Sequence, residues 1–337
     1  LSERPVRPFM SVAAGIIDIA PMAQQTNISG SQGMRLVHLT DPHLTSLANQ
    51  SLIGLRGKRR LGYLSWKRKR RWVHRADLLE QITEAVHAES ATQILLSGDL
   101  AQIGLAEEIS AAGTWLERLG SPQQVVLVPG NHDFYRADSW AAICDRWGPY
   151  LGAGQEASEM SPADLFPRLR QLEKDGVEAA VLGLCSAYPA PLLMADGRLG
   201  VDQLTQLDDR MRQAQGFRCE ILHHPPLPGM SAWRKALRDA GDLARVLERH
   251  QPELVLHGHV HRNRTGPVSG GTRIFATASA SSSRPDAPAS YRVFDISGDP
   301  NGWSVAMRLK GITPNGQIAV LEENCWRVPL KQMASGI

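Results

Sequence analysis

A layered α/β fold, two sheets flanked by helices, follows from two patterns in this 337-residue chain. Short apolar, β-branched runs alternate with helical segments, and the chain then closes on strand-like runs with no helix between them. Alternation builds a largely parallel sheet, because a parallel crossover needs a helix-length connection. The closing runs are expected to pair antiparallel and to extend or oppose the first sheet.

Six runs read as buried strands: "RLVHLT" from 35, "QILLSG" from 93, "QVVLVPG" from 124, "EAAVLGLCS" from 178, "CEILHHP" from 219 and "ELVLHG" from 253. Their short apolar cores suit strands covered on both faces. Between them, residues 76–90, 105–120, 201–215 and 241–250 space their apolar side chains at three and four, the period of an amphipathic helix, and Gly120 stands where a C-cap belongs. The later runs "TRIFATASA", "SYRVFDIS" and "GWSVAMRLKGI" are strand-like, and "SASSSRPDAPAS" at 279–290 reads as a polar loop.

Composition narrows the class. Hydrophobic residues make up 42% and charged residues 21%, as in an ordinary water-soluble domain, and no run approaches the roughly 18–20 apolar residues of a membrane span. Cys144, Cys185, Cys219 and Cys325 show no CxxC spacing, which argues against a zinc ribbon or a disulfide framework and favours a reducing compartment. Residues 1–33 read as an extension outside the core, since Asp18 interrupts the one signal-like apolar stretch; Met34 begins the fold, residues 34–310 form a single domain and 311–337 a tail.

The net charge of +3 hides an asymmetry. Residues 56–75, "RGKRRLGYLSWKRKRRWVHR", hold ten Lys and Arg and no acid, leaving 27 basic against 34 acidic residues elsewhere. Positive charge confined in this way points to an anionic partner.

In open α/β sheets, functional groups gather beyond the carboxyl ends of the strands. Asp41 and His43 follow the first run, Asp99 the second, Asn131, His132 and Asp133 the third, His223 and His224 the fifth, and His257, His259 and His261 the sixth. Alone, each is compatible with a turn, a cap or a satisfied polar contact. Alternate histidines in "HGHVH" are stronger, because they project to one side of an extended chain. Five strands delivering such groups to one edge point to a metal site. The oxygen and nitrogen donors, with no thiolate, suit a pair of divalent ions rather than a structural zinc.

In order and placement, Asp41-Pro-His43, Gly98-Asp99, Gly130-Asn131-His132-Asp133, His223-His224 and Gly258-His259-Val260-His261 resemble the motifs of the calcineurin-like metallophosphoesterases. The resemblance covers approximately residues 34–296. It implies a four-layer α-β-β-α sandwich with two mixed sheets, and a dinuclear centre of two divalent ions (Mn, Fe, Zn or a mixture). Carried over by position, Asp41, His43 and His261 would hold one ion, Asn131, His223 and His259 the other, and Asp99 would bridge. His132 would act on the substrate, stabilising the transition state or protonating the leaving oxygen while a metal-bound hydroxide attacks phosphorus in line. Asp133 and His224 would orient these groups and His257 would be a strand residue; His38, His74, His87 and His250 receive no role.

Two departures narrow the branch. No Asp-Arg-Gly follows the bridging aspartate, unlike the protein serine/threonine phosphatases, and Gln102 stands where purple acid phosphatases place a metal-binding tyrosine. What remains is similar to the bacterial phosphodiesterases that include the class III cyclic-nucleotide enzymes, which "LHHPPLP" and "PASYRVFDIS" also resemble.

The basic segment has three readings. It is a solvated start to the helix at 76, a nucleic-acid groove, or an interfacial segment whose Leu61, Tyr63, Leu64, Trp66 and Trp72 enter a headgroup layer while the cations meet anionic lipid. The last resembles an insert of calcineurin-like hydrolases that cleave UDP-2,3-diacylglucosamine, although the widespread form of that enzyme has Arg where this chain has His132. The favoured function is a metal-dependent phosphodiesterase or pyrophosphatase on a nucleotide or nucleotide-linked lipid, cytoplasmic and peripheral on the inner membrane. A soluble cyclic-nucleotide phosphodiesterase, a nuclease and a non-catalytic metal-stabilised binding protein are the alternatives.

Overall fold

A computed structural model describes residues 33–330 except 45–46, 154–159 and 267–270. The extension read over 1–33 therefore lies outside the described residues, apart from Gly33. Strand β1 (Met34–Leu39) leads to helix α1 (Gly57–Ser65), a π-helical turn (Trp66–Arg70), α2 (Arg71–Val73), α3 (Ala76–Ala88) and β2 (Gln93–Leu96). Next come α4 (Ala106–Leu119), β3 (Val125–Leu127), α5 (Ser139–Leu151), α6 (Pro162–Leu165), β4 (Arg168–Lys174) and β5 (Val177–Gly183). Then α7 (Val201–Gln213), β6 (Phe217–Leu222), α8 (Ala240–His250) and β7 (Leu254–His257) complete the alternating part. The rest is strand: β8 (Arg264–Thr265), β9 (Arg273–Ala276), β10 (Ser283–Arg284), β11 (Ala287–Pro288), β12 (Ser290–Asp299), β13 (Gly302–Ile312) and β14 (Ile318–Pro329).

Two six-stranded mixed sheets result, in the orders β14-β13-β12-β1-β2-β3 and β4-β5-β6-β7-β9-β8. Strand alternation assigns their faces. In β5, Ala179 and Val181 join the large core shared with the first sheet, whereas Ala180 and Leu182 pack with α7 and α8. Helix α8 supplies Leu243, Val246 and Leu247 to that outer cluster, and α3 turns Leu79, Ile82 and Val86 into the shared core. Burying a side chain of this size contributes about 1.5–3 kcal/mol. Helices outside, sheets inside, is the four-layer α-β-β-α sandwich.

The structure departs from the sequence reading in five places. Strand β9, within "TRIFATASA", is parallel to β7 because the short antiparallel β8 lies between them in the chain and reverses direction first. The stretch 279–290 contains the β10–β11 hairpin and buries Ser279, Ser281 and Ser282. Helix does not run unbroken from the basic segment into α3: His74 is extended (φ −93°, ψ 116°) and bridges to Ser282. Tyr63 and Trp66, read as headgroup-facing, are buried with Leu47, Leu55, Ile103 and Tyr135, leaving Leu61 and Trp72 exposed. Strand β14, inside the stretch read as a tail, pairs along β13.

Two glycines test the backbone argument. Gly176 (φ +75°) follows Asp175 (φ +50°) in a two-residue turn that registers Lys174 against Val177, and an added Cβ there meets open space. Gly216 (φ +70°), between α7 and β6, has no such room: a Cβ would sit 2.1 Å from the Glu178 carbonyl oxygen. Gly176→Ala is expected to cost about 1–2 kcal/mol of left-handed strain, and Gly216→Ala distinctly more. Denaturant midpoints measure both, and equal losses would remove the steric term.

Candidate metal centre

The loops after β1 and β2 are laced together, since Asp41 N–H donates to the Gly98 carbonyl (2.9 Å) and His43 N–H to that of Asp99 (3.0 Å). Two buried carboxylates hold the second loop from beneath. Asp133 accepts from the amides of Asp99, Gly130 and Ala101, each at 2.8 Å, and Glu108 at the start of α4 accepts from those of Gln102, Ile103 and Leu105 at 2.8–3.1 Å. Burial and the Asp99 carboxylate push Asp133 up to about 7, against the amide hydrogen bonds that favour its charge.

Asp41, Asp99, His43 and His223 are each oriented by a bond from outside the donor set. Asp41 accepts from the Thr40 hydroxyl (2.8 Å) and the His259 amide (3.0 Å) through Oδ2, which leaves Oδ1 free to face His261 Nε2 at 3.0 Å. Asp99 accepts from the His132 amide through Oδ1 (2.7 Å) and turns Oδ2 toward His223 Nε2 at 3.3 Å and His43 Nε2 at 3.8 Å. His43 and His223 donate Nδ1–H to the carbonyls of Ala101 (2.9 Å) and Ser97 (2.8 Å), so their Nε2 lone pairs face inward. His223 Nε2 lies 3.1 Å from both Asn131 Oδ1 and His259 Nδ1, and His43 Nε2 lies 3.4 Å from His261 Nε2.

Two groups of donor atoms therefore converge. Asp41, His43 and His261 form one, Asn131, His223 and His259 the other, and Asp99 Oδ2 borders both. Five of the seven, Asp41, His43, Asp99, His259 and His261, have φ between +41° and +69°. Such backbone is costly for a residue with a Cβ and clusters at functional sites.

Electrostatics test whether cations fit. Burial works against charge on Asp41 and Asp99, yet both stay below the ordinary carboxylate range, held there chiefly by His261 and His223 respectively. Burial also works against charge on His223, but Asp99 and Asp41 hold it up to about 9. A pocket that draws a proton onto a buried imidazole stabilises positive charge where these atoms converge, which is what divalent ions require.

His132 stands beside this ring. Its Nδ1–H donates to the Gln102 carbonyl (2.5 Å), its ring stacks on Tyr135 with centroids 5.7 Å apart, and Arg70 Nη1 lies 3.0–3.1 Å from the two ring nitrogens. Burial, then Arg70, push its pKa down to about 3. His224 Nδ1 meets the Ser186 hydroxyl (2.8 Å), with its ring against His223 and His259, while His257 is a buried residue of β7 beside the Gly258 carbonyl. His38 joins Thr277 to Ser97, and His87 and His250 bond to the Leu119 carbonyl and Asp208, all apart from the cleft.

Sequence reasoning missed two neighbours. His74 packs on His43 (ring centroids 4.3 Å) and reaches the Ser281 hydroxyl (2.9 Å), and Arg70 covers His132. Both lie in the basic segment, and both line a cleft of about 320 Å³ with His43, Asp99, Asn131, His132, His259, His261, Lys69, Lys235 and Arg284.

Asp133→Asn tests the loop support: it replaces one acceptor oxygen by an NH₂ that must face an amide N–H. The expected cost is about 1–3 kcal/mol, the range for a buried donor left unsatisfied, together with weakened metal retention. A denaturation curve and metal content decide it, and an unchanged variant would show that Asp133 does not support the site.

Comparison with known proteins agrees with this geometry. The family model for calcineurin-like phosphoesterases matches residues 34–263. A probable cyclic nucleotide phosphodiesterase of Synechococcus sp. is 30% identical over 213 residues, which are 62% of this chain and 72% of that protein. Among solved structures, a dimetal phosphatase from Danio rerio is similar with a TM-score of 0.57 at 12% identity, over 86% of this chain and 99% of that one. A purple acid phosphatase from seeds of yellow lupin (Lupinus luteus) is similar with a TM-score of 0.53 at 13% identity, over 90% of this chain and 58% of that one. At such identities the two structures speak for the fold alone. With the family model spanning the strands and loops that assemble the donor groups, the chain belongs to the calcineurin-like phosphoesterases, metal-dependent phosphoester hydrolases that use a dinuclear divalent centre.

Proposed function

We propose that the chain hydrolyses phosphodiester or pyrophosphate bonds in a nucleotide or a nucleotide-linked lipid such as UDP-2,3-diacylglucosamine. Asp41, His43 and His261 would hold one ion, Asn131, His223 and His259 the other, with Asp99 shared. Two ions at such a site supply a nucleophile at neutral pH and clamp phosphoryl oxygens. The observation that carries the reading is the place of His132: its amide binds Asp99, but its ring lies outside both donor groups and faces the cleft.

With Nδ1–H committed to the Gln102 carbonyl, Nε2 is the ring atom left for substrate. The two largest effects that keep this ring neutral are burial and Arg70, with His261 adding to them. An anion bound between Arg70 and His132 offsets both, which favours a proton on Nε2 for donation to the leaving oxygen. The Synechococcus relative, described as a probable cyclic nucleotide phosphodiesterase, supports a cyclic nucleotide as the second reading.

Membrane contact is part of the first reading. Trp72 is 67% and Ile53 95% exposed, Leu61 is also exposed, and the exposed cations Arg60, Lys67, Arg68 and Arg71 share the segment. Such a combination suits an anionic lipid surface. No helix among the described residues is long and apolar enough to cross a membrane.

Two measurements test these assignments. His132→Ala should retain its ions and lose about 10²–10⁴ in kcat, as expected for a general acid or transition-state donor, whereas Asp99→Ala should lose metal; metal loss in His132→Ala would make it a ligand. Neutralising Arg60, Lys67, Arg68 and Arg71 together should leave hydrolysis of a soluble aryl phosphodiester unchanged. It should also abolish salt-sensitive binding to anionic vesicles, at about 1 kcal/mol per cation. Absent vesicle binding in the parent would end the membrane reading, and strong salt-dependent oligonucleotide binding would put a nuclease in its place.

A further inference from the structure

Arg70 is an arginine without an acid. Among the described residues no carboxylate pairs with it, and its one side-chain partner is His132, reached through Nη1. Burial pushes the pKa of the guanidinium below its ordinary value, yet an arginine remains charged. Its other N–H donors have no protein partner among the described residues and line the cleft, where they are available to an anion.

Local structure turns this residue inward. Arg70 ends the π-helical turn, a form that is rare and recurs at functional sites. Trp66 anchors the start of that turn in the small core with Tyr63, Ile103 and Tyr135. The wider turn sends Lys67 and Arg68 to solvent and brings Arg70 over His132, with Lys69 at the cleft edge.

The cleft carries more cation than a single phosphodiester can match. Lys69, Arg70 and Lys235 line it with no carboxylate partner among the described residues, whereas Arg284 is paired with Asp286 at 3.0 Å. The acidic side chain lining the same cleft is Asp99, committed to the donor groups. A phosphodiester monoanion held over those groups leaves Arg70's free donors and both lysines unanswered.

We propose that Arg70, with Lys69 and Lys235 in the same cleft, binds a second, non-reacting phosphate, so that the site selects a diphosphate-linked substrate over a single phosphodiester. This rests on the phosphohydrolase reading above and deepens it. In such a reaction water adds across one P–O–P linkage. Its oxygen bonds to the attacked phosphorus, the bridging oxygen departs with the bond's electron pair on the second phosphate, and water's proton passes to solvent. Arg70 holds that second phosphate and balances the charge growing on the bridging oxygen.

The test uses the manganese-loaded enzyme, Arg70→Gln and Arg70→Lys. Substrates are bis(p-nitrophenyl) phosphate and the p-nitrophenyl ester of uridine diphosphate; binding of methylene-bridged uridine diphosphate is followed by calorimetry. Arg70→Gln should lower kcat/KM for the diphosphate roughly tenfold or more beyond any loss on the monophosphodiester, and weaken the methylene compound by a similar factor. Lysine should restore part of each. Damage transmitted through His132 acts on both substrates and cancels in the ratio. Equal losses on the two substrates, or a methylene compound that fails to bind the parent or binds Arg70→Gln equally well, would overturn the proposal. If the parent hydrolyses neither substrate while the methylene compound binds in an Arg70-dependent way, the hydrolase reading fails and the anion site stands. Should Arg70→Gln not fold, Lys235→Gln, at an exposed position, takes its place with the same expected loss of diphosphate preference.

Discussion

Two buried carboxylates that face each other at adjacent strand ends set the terms for the rest of this molecule. Asp41 and Asp99 are almost fully enclosed, and among the described residues neither pairs with a lysine or arginine. An uncompensated buried carboxylate costs several kcal/mol, so a pair of them is tolerable only where positive charge sits between them. The surrounding structure is arranged to that end. One oxygen of each carboxylate is tied down, the histidines opposite have their lone pairs turned inward by backbone carbonyls, and five candidate ligands accept left-handed backbone to bring their side chains together. Strain of this kind persists because Asp133 and Glu108 pin the loop that carries Asp99 through five amide hydrogen bonds, and Asp133 takes a sixth from Gly130 in its own loop.

The basic segment divides its work in a way its composition conceals. Arg59 donates to the carbonyls of Ile103 and Gly104 and to Asp138, and Lys58 reaches the Ala190 carbonyl, so these two cations fasten α1 to the loops beside the cleft. Trp66 and Tyr63 anchor the same helix from within. Arg70 points into the site, and Lys67, Arg68 and Arg71 face solvent. One stretch thus packs, lines the cleft and presents charge, which explains why no single reading of it by composition suffices.

How much of this was legible follows from the physics of each part. Strands buried on both faces read as unbroken apolar runs, so β1, β2, β3, β5, β6 and β7 and the polar groups at their ends stood out. Strand β4 did not, because Arg168, Arg170, Glu173 and Lys174 line an edge with little burial, although Asp175-Gly176 is a hairpin turn signal. The inward turn of Arg70 was hidden for a different reason: a run of cations carries no hydrophobic phase, and a π-turn breaks the helical period that would assign faces. His74 belongs to no motif and reaches His43 through a break between helices. By itself Asp133 looked like a turn or cap residue, and only the motif resemblance gave it an orienting role, since the three amides it serves come from two separate loops.

In the proposed centre Asp99 would stand between two cations and His132 outside them. Anomalous diffraction at the manganese edge, from crystals grown with that ion, tests it most directly. Two peaks about 3.5–4 Å apart are expected, both within coordinating distance of Asp99, with the His132 ring bound to neither. A single peak, or a peak coordinated by His132, would contradict it.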